Sequence, residues 1–132
     1  MASINVEAIA ADHVIWEGEA STVIARTTEG DVGILAGHEP FLAVIVPCIA
    51  EVVEPDGNRI RIFIDQGFIS VEENRVSLLS QFGELVSELK LDEVKAELAK
   101  SEAEAAADPA NARAARRVVR AKVALNALEP QH

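Results

Sequence analysis

Apolar and polar side chains alternate with a period of two residues from Ile4 to about Ser80. Such alternation is typical of strands that bury one face of a sheet. Turn-forming residues interrupt it at short intervals, and the cluster Pro55-Asp56-Gly57-Asn58 between two apolar runs predicts a β-hairpin. Roughly seven to ten short strands without intervening helices predict an antiparallel β-sandwich or flattened barrel.

The pattern changes to the period of a helix after Gly83. Leu91, Val94 and Leu98 have the spacing of one helix face. The sequence from there to Ala107 is rich in Ala, Glu and Lys, which all favour helix. A first helix is therefore predicted in this region.

A second helix is predicted directly after the first. Asp108 followed by Pro109 is typical of a helix N-cap and the first helical position. The apolar positions of this helix form a narrow stripe: Ala112, Ala115, Val119 and Val123. Because the connection is short, we expect an antiparallel helical hairpin. The sequence thus predicts two domains, a β-sandwich at residues 1–84 and a two-helix domain at residues 85–132.

The size and charge of the chain restrict its function. Its 132 residues can bury one modest core, and its net charge of -10 argues against nucleic acid or an anionic lipid surface as a partner. No apolar run reaches the length of a membrane span, and the first residues lack the features of a signal peptide. The sequence therefore predicts a cytosolic location.

No sequence motif indicates an active site or a metal site. The chain lacks both the phosphate-binding pattern G-x-x-x-x-G-K-[ST] and the nucleophile pattern G-x-S-x-G. Cys48 is the single cysteine, which excludes an intramolecular disulfide and a cysteine-based zinc site. His13, His38 and His132 lack the spacing of metal ligands. We therefore expect a non-catalytic protein without a metal.

Four aromatic side chains are expected in the core rather than on a sugar-binding platform: Phe41, Phe63, Phe68 and Trp16. A small hydrolase would need a catalytic triad, and a carbohydrate-binding sandwich would need an exposed aromatic platform. The sequence offers neither feature by any recognisable motif.

Basic residues are concentrated in the last part of the chain. Residues 109–132 contain one acidic side chain, Glu129, although the chain as a whole is acidic. The basic residues there are Arg113, Arg116, Arg117, Arg120 and Lys122. Two interpretations are open: a solvated face that pairs with first-helix carboxylates, or a surface that binds an acidic protein partner. The carboxylates available for pairing are Glu93, Glu97, Glu102 and Glu104.

The segment 27–42 contains Gly30, Gly33, Gly37 and Pro40 between apolar runs. Glycine permits positive φ or a close backbone approach, and proline fixes φ at a corner. The segment therefore predicts a tight bend. Its exposed polar rim is expected to contain Glu29, Asp31, His38 and Glu39.

This segment is similar to the glycine-rich signature of the ε subunit of bacterial F-type ATP synthases. The resemblance continues in Trp16–Ala20, in Gly67–Val71 with Asn74, and in Leu91–Ala96, and it covers nearly the whole chain. It implies a β-sandwich followed by two helices. It also implies a non-catalytic subunit of a proton-translocating complex at the cytoplasmic face of the bacterial cell membrane, which meets the membrane only through that complex.

The resemblance also implies partners. In that family the sandwich lies on the γ subunit and the ring of c subunits, and Glu29, Asp31 and His38 match positions that face the polar loops of the c ring. The helices either fold against the sandwich or extend along γ toward the α and β subunits, where they restrain ATP hydrolysis. An acidic segment of β meets the extended helices, which implies an inhibitory contact through the basic residues of the second helix: Arg113, Arg116, Arg117, Arg120 and Lys122.

The run Leu91–Ala96 resembles the (I/L)-D-x-x-R-A motif by which some ε subunits bind ATP. Asp92 and Lys95 share a helix face, and the arginines of the second helix could close over the phosphates: Arg113, Arg116 or Arg120. Lys95 stands where those members have arginine, and lysine lacks the bidentate fork, so weak ATP binding or none is expected. An ordinary surface pair at a helix N-terminus, or a free-standing nucleotide sensor, are the alternatives.

Overall fold

The protein is described by a computed structural model over residues 3–128, which form ten strands followed by two helices. The strands are β1 (Ile4–Ile9), β2 (Val14–Ala20), β3 (Thr22–Thr27), β4 (Gly30–Leu35), β5 (Phe41–Ile45), β6 (Cys48–Val53), β7 (Arg59–Ile64), β8 (Gly67–Glu72), β9 (Arg75–Ser80) and β10 (Gly83–Leu85). The helices are α1 (Leu91–Ala107) and α2 (Ala112–Leu128), and a 3₁₀ turn at Val86–Glu88 precedes them. The chain divides into two compact units, with the boundary between Leu85 and Val86.

The strands form one nearly closed sheet. Their order is β10-β7-β6-β3-β5-β8-β9-β1-β2, and β4 pairs with β3 outside this path. Neighbours are antiparallel except β1 and β9, which run parallel. The two end strands approach each other closely, since a Cβ added to Gly83 of β10 would lie 2.7 Å from Cδ1 of Ile15. The predicted sandwich or flattened barrel followed by a helical hairpin is confirmed, with one parallel pair that the alternation alone did not indicate.

The inward faces of the strands supply the core of this unit. Fully buried aliphatic side chains come from nearly every strand and include Ile4, Ile34, Ile45, Ile62, Ile69 and Leu78. Burying one such side chain stabilises the fold by about 1.5–3 kcal/mol. The period-two pattern therefore marks the residues that hold the sandwich together.

The turn between β6 and β7 has the predicted hairpin structure. Gly57 adopts φ of 92°, a left-handed conformation that side chains disfavour. The N–H of Glu54 donates to the carbonyl oxygen of Asn58 at 2.8 Å, and the carboxylate of Asp56 accepts from the N–H of Asn58 at 2.9 Å. These bonds fix the register of two strands that carry core residues.

The expectation of four core aromatics is wrong for Phe68. Phe63 is buried, and Trp16 and Phe41 pack partly buried against the core, but Phe68 is 51% exposed. Its neighbour Ile69 is buried, and successive strand residues point to opposite faces of a sheet. Phe68 therefore lies on the outer face of β8.

Gly67, at the start of β8, lies against the main chain of β9. A Cβ at this position would overlap the carbonyl oxygen of Leu79. We expect Gly67→Ala to lower the free energy of unfolding by about 1–3 kcal/mol, because the backbone of β9 would have to move. Gly33→Ala is the matched control, since no heavy atom lies within 4 Å of a Cβ added there. Equal losses for both variants in urea unfolding would contradict this account.

In the second unit, α1 and α2 pack antiparallel through small side chains. The buried residues of α2 are Ala114, Ala121, Ala124 and Ala127, and those of α1 are Val94 and Ser101. The predicted stripe on α2 is therefore wrong, because Ala112, Ala115 and Val119 are exposed and Val123 is half-buried. The four buried alanines named above form the stripe that faces α1, and their small size lets the two helices approach closely.

The second helix begins later than the sequence predicts. Asn111, not Asp108, caps it, because the side-chain oxygen of Asn111 accepts from the N–H of Ala114 at 3.1 Å. Asp108 instead ends α1, where its N–H donates to the carbonyl oxygen of Glu104 at 3.2 Å. Pro109 consequently lies in the connection between the helices rather than at the first helical position.

Candidate functional site

The first candidate contact is the turn between β3 and β4. Thr27, which is buried, organises this turn: its hydroxyl donates to the carbonyl oxygen of Gly30 at 2.9 Å and accepts from the N–H of Glu29 at 3.1 Å. Gly30 has φ of 113°. Glu29 and Asp31 are both exposed. The turn therefore presents two carboxylates to the surroundings on a rigid hairpin.

Asp31 is paired with Arg26 across the hairpin. Their Oδ1 and Nε atoms lie 2.8 Å apart, and both side chains are about two-thirds exposed. The hydrogen bond and the charge of Arg26 lower the pKa of Asp31 below its ordinary value. Because exposed pairs of this kind contribute little to stability, Asp31 can exchange Arg26 for a partner residue at low cost.

His38 belongs to a separate turn beyond the other end of β4. The N–H of Gly37 donates to Oδ1 of Asn74 at 2.7 Å, and the carbonyl oxygen of Asn74 accepts from the N–H of Asn5 at 2.8 Å. His38 is half-buried, and its ring meets that of Phe41 edge-on with centroids 5.8 Å apart. Asn74 thus fixes the turn that carries His38.

The segment 27–42 is therefore not the single tight bend that the sequence predicts. It contains one turn with Glu29, the six-residue strand β4, which carries Asp31 near its start, and a second turn with His38. A strand of this length spans roughly 17 Å. The three predicted rotor-contact residues occupy two polar corners rather than one continuous rim.

An apolar row lies on the outer face of the sheet, and sequence reasoning missed it. It consists of Leu42, Val44, Phe68 and Leu79, which are all exposed. Val44 pairs with Phe68 across β5 and β8, and Phe68 pairs with Leu79 across β8 and β9. The outward positions of these strands carried the signal, because an apolar residue there breaks the alternation of buried apolar and exposed polar side chains.

The helical hairpin of α1 and α2 contains an ion cluster centred on Arg117. Nε and Nη2 of Arg117 donate to Oε1 of Glu97 at 3.0 and 2.8 Å, and Nη1 donates to Oε2 of Glu104 at 2.8 Å. The bond from Arg117 is the main cause that lowers the pKa of Glu97, which the Ser101 hydroxyl and the charge of Arg120 lower further. Of the two interpretations of the basic residues, pairing with α1 is thus the one that the structure shows for Arg117.

The other basic residues of α2 lie differently. Arg113, Arg116 and Lys122 are exposed, and Arg120 is half-buried with its charge close enough to act on Glu97. The second helix therefore divides its cations between a contact with α1 and an outward surface.

Arg113, one of the predicted ATP-site residues, lies away from Asp92 and Lys95 in the helical hairpin. Asp92 and Lys95 are exposed in the first turns of α1. Arg117 faces α1 between Glu97 and Glu104, so Arg113, one turn before it, lies toward the far end of α1. Twelve residues of helix separate Asp92 from Glu104, a rise of about 18 Å.

We expect ATP binding to be weak, because Lys95 lacks the bidentate fork of an arginine and Arg113 lies away from it. A partial site formed by Asp92 and Lys95 should give a dissociation constant in the millimolar range, which corresponds to about -4 kcal/mol. Calorimetry with the full chain measures it, and Asp92→Ala should change little. Micromolar affinity that disappears in the Asp92→Ala variant would show that the hairpin assembles a true nucleotide site.

Within residues 3–128, no group of three or more His, Cys, Asp or Glu side chains could hold a metal ion. Among the same residues, no helix has both the length and the apolar character needed to cross a bilayer. Cys48 is a buried thiol, and burial raises its pKa.

Comparison with known proteins identifies the class of the chain. Residues 3–86 match the family described as "ATP synthase, Delta/Epsilon chain, beta-sandwich domain". The fold is similar to that of a chain in the Euglena gracilis mitochondrial ATP synthase structure "OSCP/F1/c-ring in rotational state 1", with a TM-score of 0.71, 24% identity, and coverage of 95% of this chain and 76% of that chain. The fold is also similar to that of a chain in the Tetrahymena thermophila mitochondrial ATP synthase structure "central stalk/cring", with a TM-score of 0.51 and 17% identity. The match covers 71% of each chain.

Curated relatives define the family further. The ATP synthase epsilon chain of Cutibacterium acnes is 40% identical over 93 residues, which cover 70% of this chain and 64% of the relative. The epsilon chain of Streptomyces griseus is 40% identical over 108 residues, which cover 80% of this chain and 87% of the relative. The chain thus spans slightly less than two thirds of the first relative and most of the second. It belongs to the epsilon chain family of ATP synthases, whose members are non-catalytic subunits of that complex.

Proposed function

We propose that this chain is a rotor subunit of a proton-translocating ATP synthase, bound to the γ subunit and the c ring at the cytoplasmic face of the bacterial cell membrane. The two similar structures are of an OSCP/F1/c-ring assembly and of a central stalk with its c ring, which supports this assignment. The chain has no catalytic role there. Its rigid sheet connects subunits that turn together, and its helices act on ATP hydrolysis.

The observation that carries this proposal is the apolar row. Four neighbouring large apolar side chains on one sheet face, with Leu42 71% and Phe68 51% exposed, form a surface that a protein partner would cover. An acidic chain is poorly suited to an anionic lipid surface, so a protein is the better occupant. We assign the apolar row to the γ subunit, and co-purification of γ with a tagged chain tests this.

The two polar corners suit the c ring. Glu29 and Asp31 are presented on a short hairpin whose turn is fixed by Thr27, and His38 is held by the turn that Asn74 supports. Polar loops of another subunit are natural partners for exposed carboxylates and an imidazole. Since Asp31 is already ionised and only weakly held by Arg26, it is the strongest candidate.

Replacing Asp31 and His38 together by alanine should weaken the coupling of proton flow to ATP synthesis and leave the fold intact. The reason is the loss of one polar group from each corner. Proton pumping and ATP synthesis in membranes that contain the assembled variant complex measure the coupling. The single variants show which corner matters, and Glu19→Ala, an exposed carboxylate on β2, is the matched control. Pumping equal to that of the unaltered complex would contradict the assignment.

We further propose that the two helices restrain ATP hydrolysis by extending toward the α and β subunits. The seam between them is made largely of alanine, and each buried methyl group stabilises it by only about 0.8 kcal/mol. The free-energy difference between paired and separated helices is therefore small. The outward cations Arg113, Arg116 and Lys122 would then meet an acidic surface, with Arg120 at its edge.

A further inference from the structure

The inward face of α2 contains one charged residue among small ones. Ala114, Arg117, Ala121 and Ala124 follow the spacing of one helix face, and the three alanines are buried. The side chain of Arg117 is only 24% exposed. An arginine in the seam between two helices must be paired there, because an unpaired charge in such a position is strongly unfavourable.

The partner face of α1 is built to receive it. Glu97, Ser101 and Glu104 are spaced by four and three residues, so they lie on successive turns of one face. Ser101 is fully buried, and its hydroxyl donates to the carbonyl oxygen and to Oε1 of Glu97, at 2.6 and 3.2 Å. Its small side chain leaves room for the guanidinium to bridge the two carboxylates above and below it.

This cluster contributes a large share of the stability of the seam, because few other side chains are buried between the helices. On α1 the buried residues are Val94 and Ser101, and on α2 they are alanines. Removing the guanidinium would also leave the carboxylates of Glu97 and Glu104 without the cation that bridges them. Arg120 would be the remaining positive charge that acts on Glu97. The seam would then change from attractive to repulsive at its centre.

We propose that Arg117 is the latch of the hairpin: by bridging Glu97 and Glu104 it sets the equilibrium between paired and separated helices. This inference rests on the proposed function for its effect on hydrolysis, but the latch itself is a property of the isolated chain. Arg116, the preceding residue, is exposed and does not take part. Neighbouring arginines therefore act in opposite directions, since Arg117 favours the paired state and Arg116 favours docking of the separated one.

The test compares Arg117→Met with Arg116→Met in the isolated full chain. Spin labels at Lys95 and Lys122, which are exposed on α1 and α2, report the distance between the helices. The ratio of separated to paired helices should rise about tenfold for Arg117→Met, as expected for a loss of about 1.4 kcal/mol, and stay unchanged for Arg116→Met. Arg117→Lys, which keeps the charge but bridges only one carboxylate, should lie between them.

Salt gives a second measurement that needs no substitution in the seam. High salt should separate the helices of the unaltered chain, because it screens the partly exposed cluster. It should not separate those of Arg117→Met further, because there it screens the repulsion between Glu97 and Glu104. Identical distance distributions for Arg117→Met and Arg116→Met, or no response of the unaltered chain to salt, would overturn the latch.

The assembled enzyme then separates the latch from the proposed function. Arg117→Met should lower ATP hydrolysis, because more helices are free to dock, and Arg116→Met should raise it. If the distances change as expected but hydrolysis of the assembled enzyme does not, the latch is supported and the inhibitory function is contradicted.

Discussion

Truncation after Ser87 is expected to leave a β-sandwich that still folds and binds γ, and to raise ATP hydrolysis by the assembled enzyme. The core of the first unit lies entirely upstream, from Ile4 on β1 to Leu78 on β9, and the last strand ends at Leu85. The truncated chain keeps the apolar row and both polar corners. It loses every residue assigned to the inhibitory contact.

Three measurements check this expectation. Circular dichroism should show a β-type spectrum and a cooperative melt, co-purification should still recover γ, and hydrolysis should exceed that of the complex with the full chain. Loss of the β-type spectrum would contradict the independence of the two units. A folded, γ-bound truncated chain without activation would contradict inhibition by the helices.

Charge reversal of Arg113 and Arg116 should activate hydrolysis in a complete chain. Both side chains are exposed in the hairpin, so glutamate at these positions leaves the seam with α1 intact. Arg120 is kept, because its charge acts on Glu97. Partly exposed, charge-assisted bonds contribute roughly 0.5–3 kcal/mol each, and about 1.4 kcal/mol changes an equilibrium tenfold. Losing two of them, at roughly 1–6 kcal/mol together, should therefore shift docking by about fivefold or more.

The salt dependence provides an internal check. Activation by the double reversal should shrink at high ionic strength, because screening already weakens the contact in the unaltered enzyme. Lys90→Glu with Lys100→Glu makes the same change in net charge on exposed positions of α1 or its N-cap and should activate less. Equal activation by both pairs would indicate a general charge effect rather than a contact made by α2.

Sequence predicted most of the sandwich, since burial on one face of a sheet repeats every second residue and turn residues mark the strand ends. The hairpin at Gly57 is an example in which the local sequence determines the turn. The parallel pairing of β1 with β9 was not predictable in this way, because it depends on how distant strands meet.

The apolar row shows a different limit. Phe68 was expected in the core because aromatic residues are usually buried, but its place in the alternation of β8 puts it outside. The residue type of Phe68 predicted burial and its position in the strand predicted exposure, and the position was correct. Such conflicts are expected where a surface serves a partner rather than the fold.

The hairpin was predicted as a class of structure but not in its contacts. Alanines occur on several sides of α2, so their spacing alone did not identify the buried stripe, and Asn111 and Asp108 are both acceptable caps. The carboxylates that pair with α2 were foreseen as a group. Which of them meet Arg117 depends on the register of the two helices, which is set only when both helices are packed.

Co-purification of a tagged chain from membranes of the native organism tests the central claim most directly. We expect the full chain to recover the γ subunit and the c ring in fixed proportion. Phe68→Ser, which removes the largest side chain of the apolar row, should reduce the recovered γ while the sandwich stays folded. Recovery of the tagged chain alone, with γ and c absent at low and moderate salt, would contradict its assignment to the rotor.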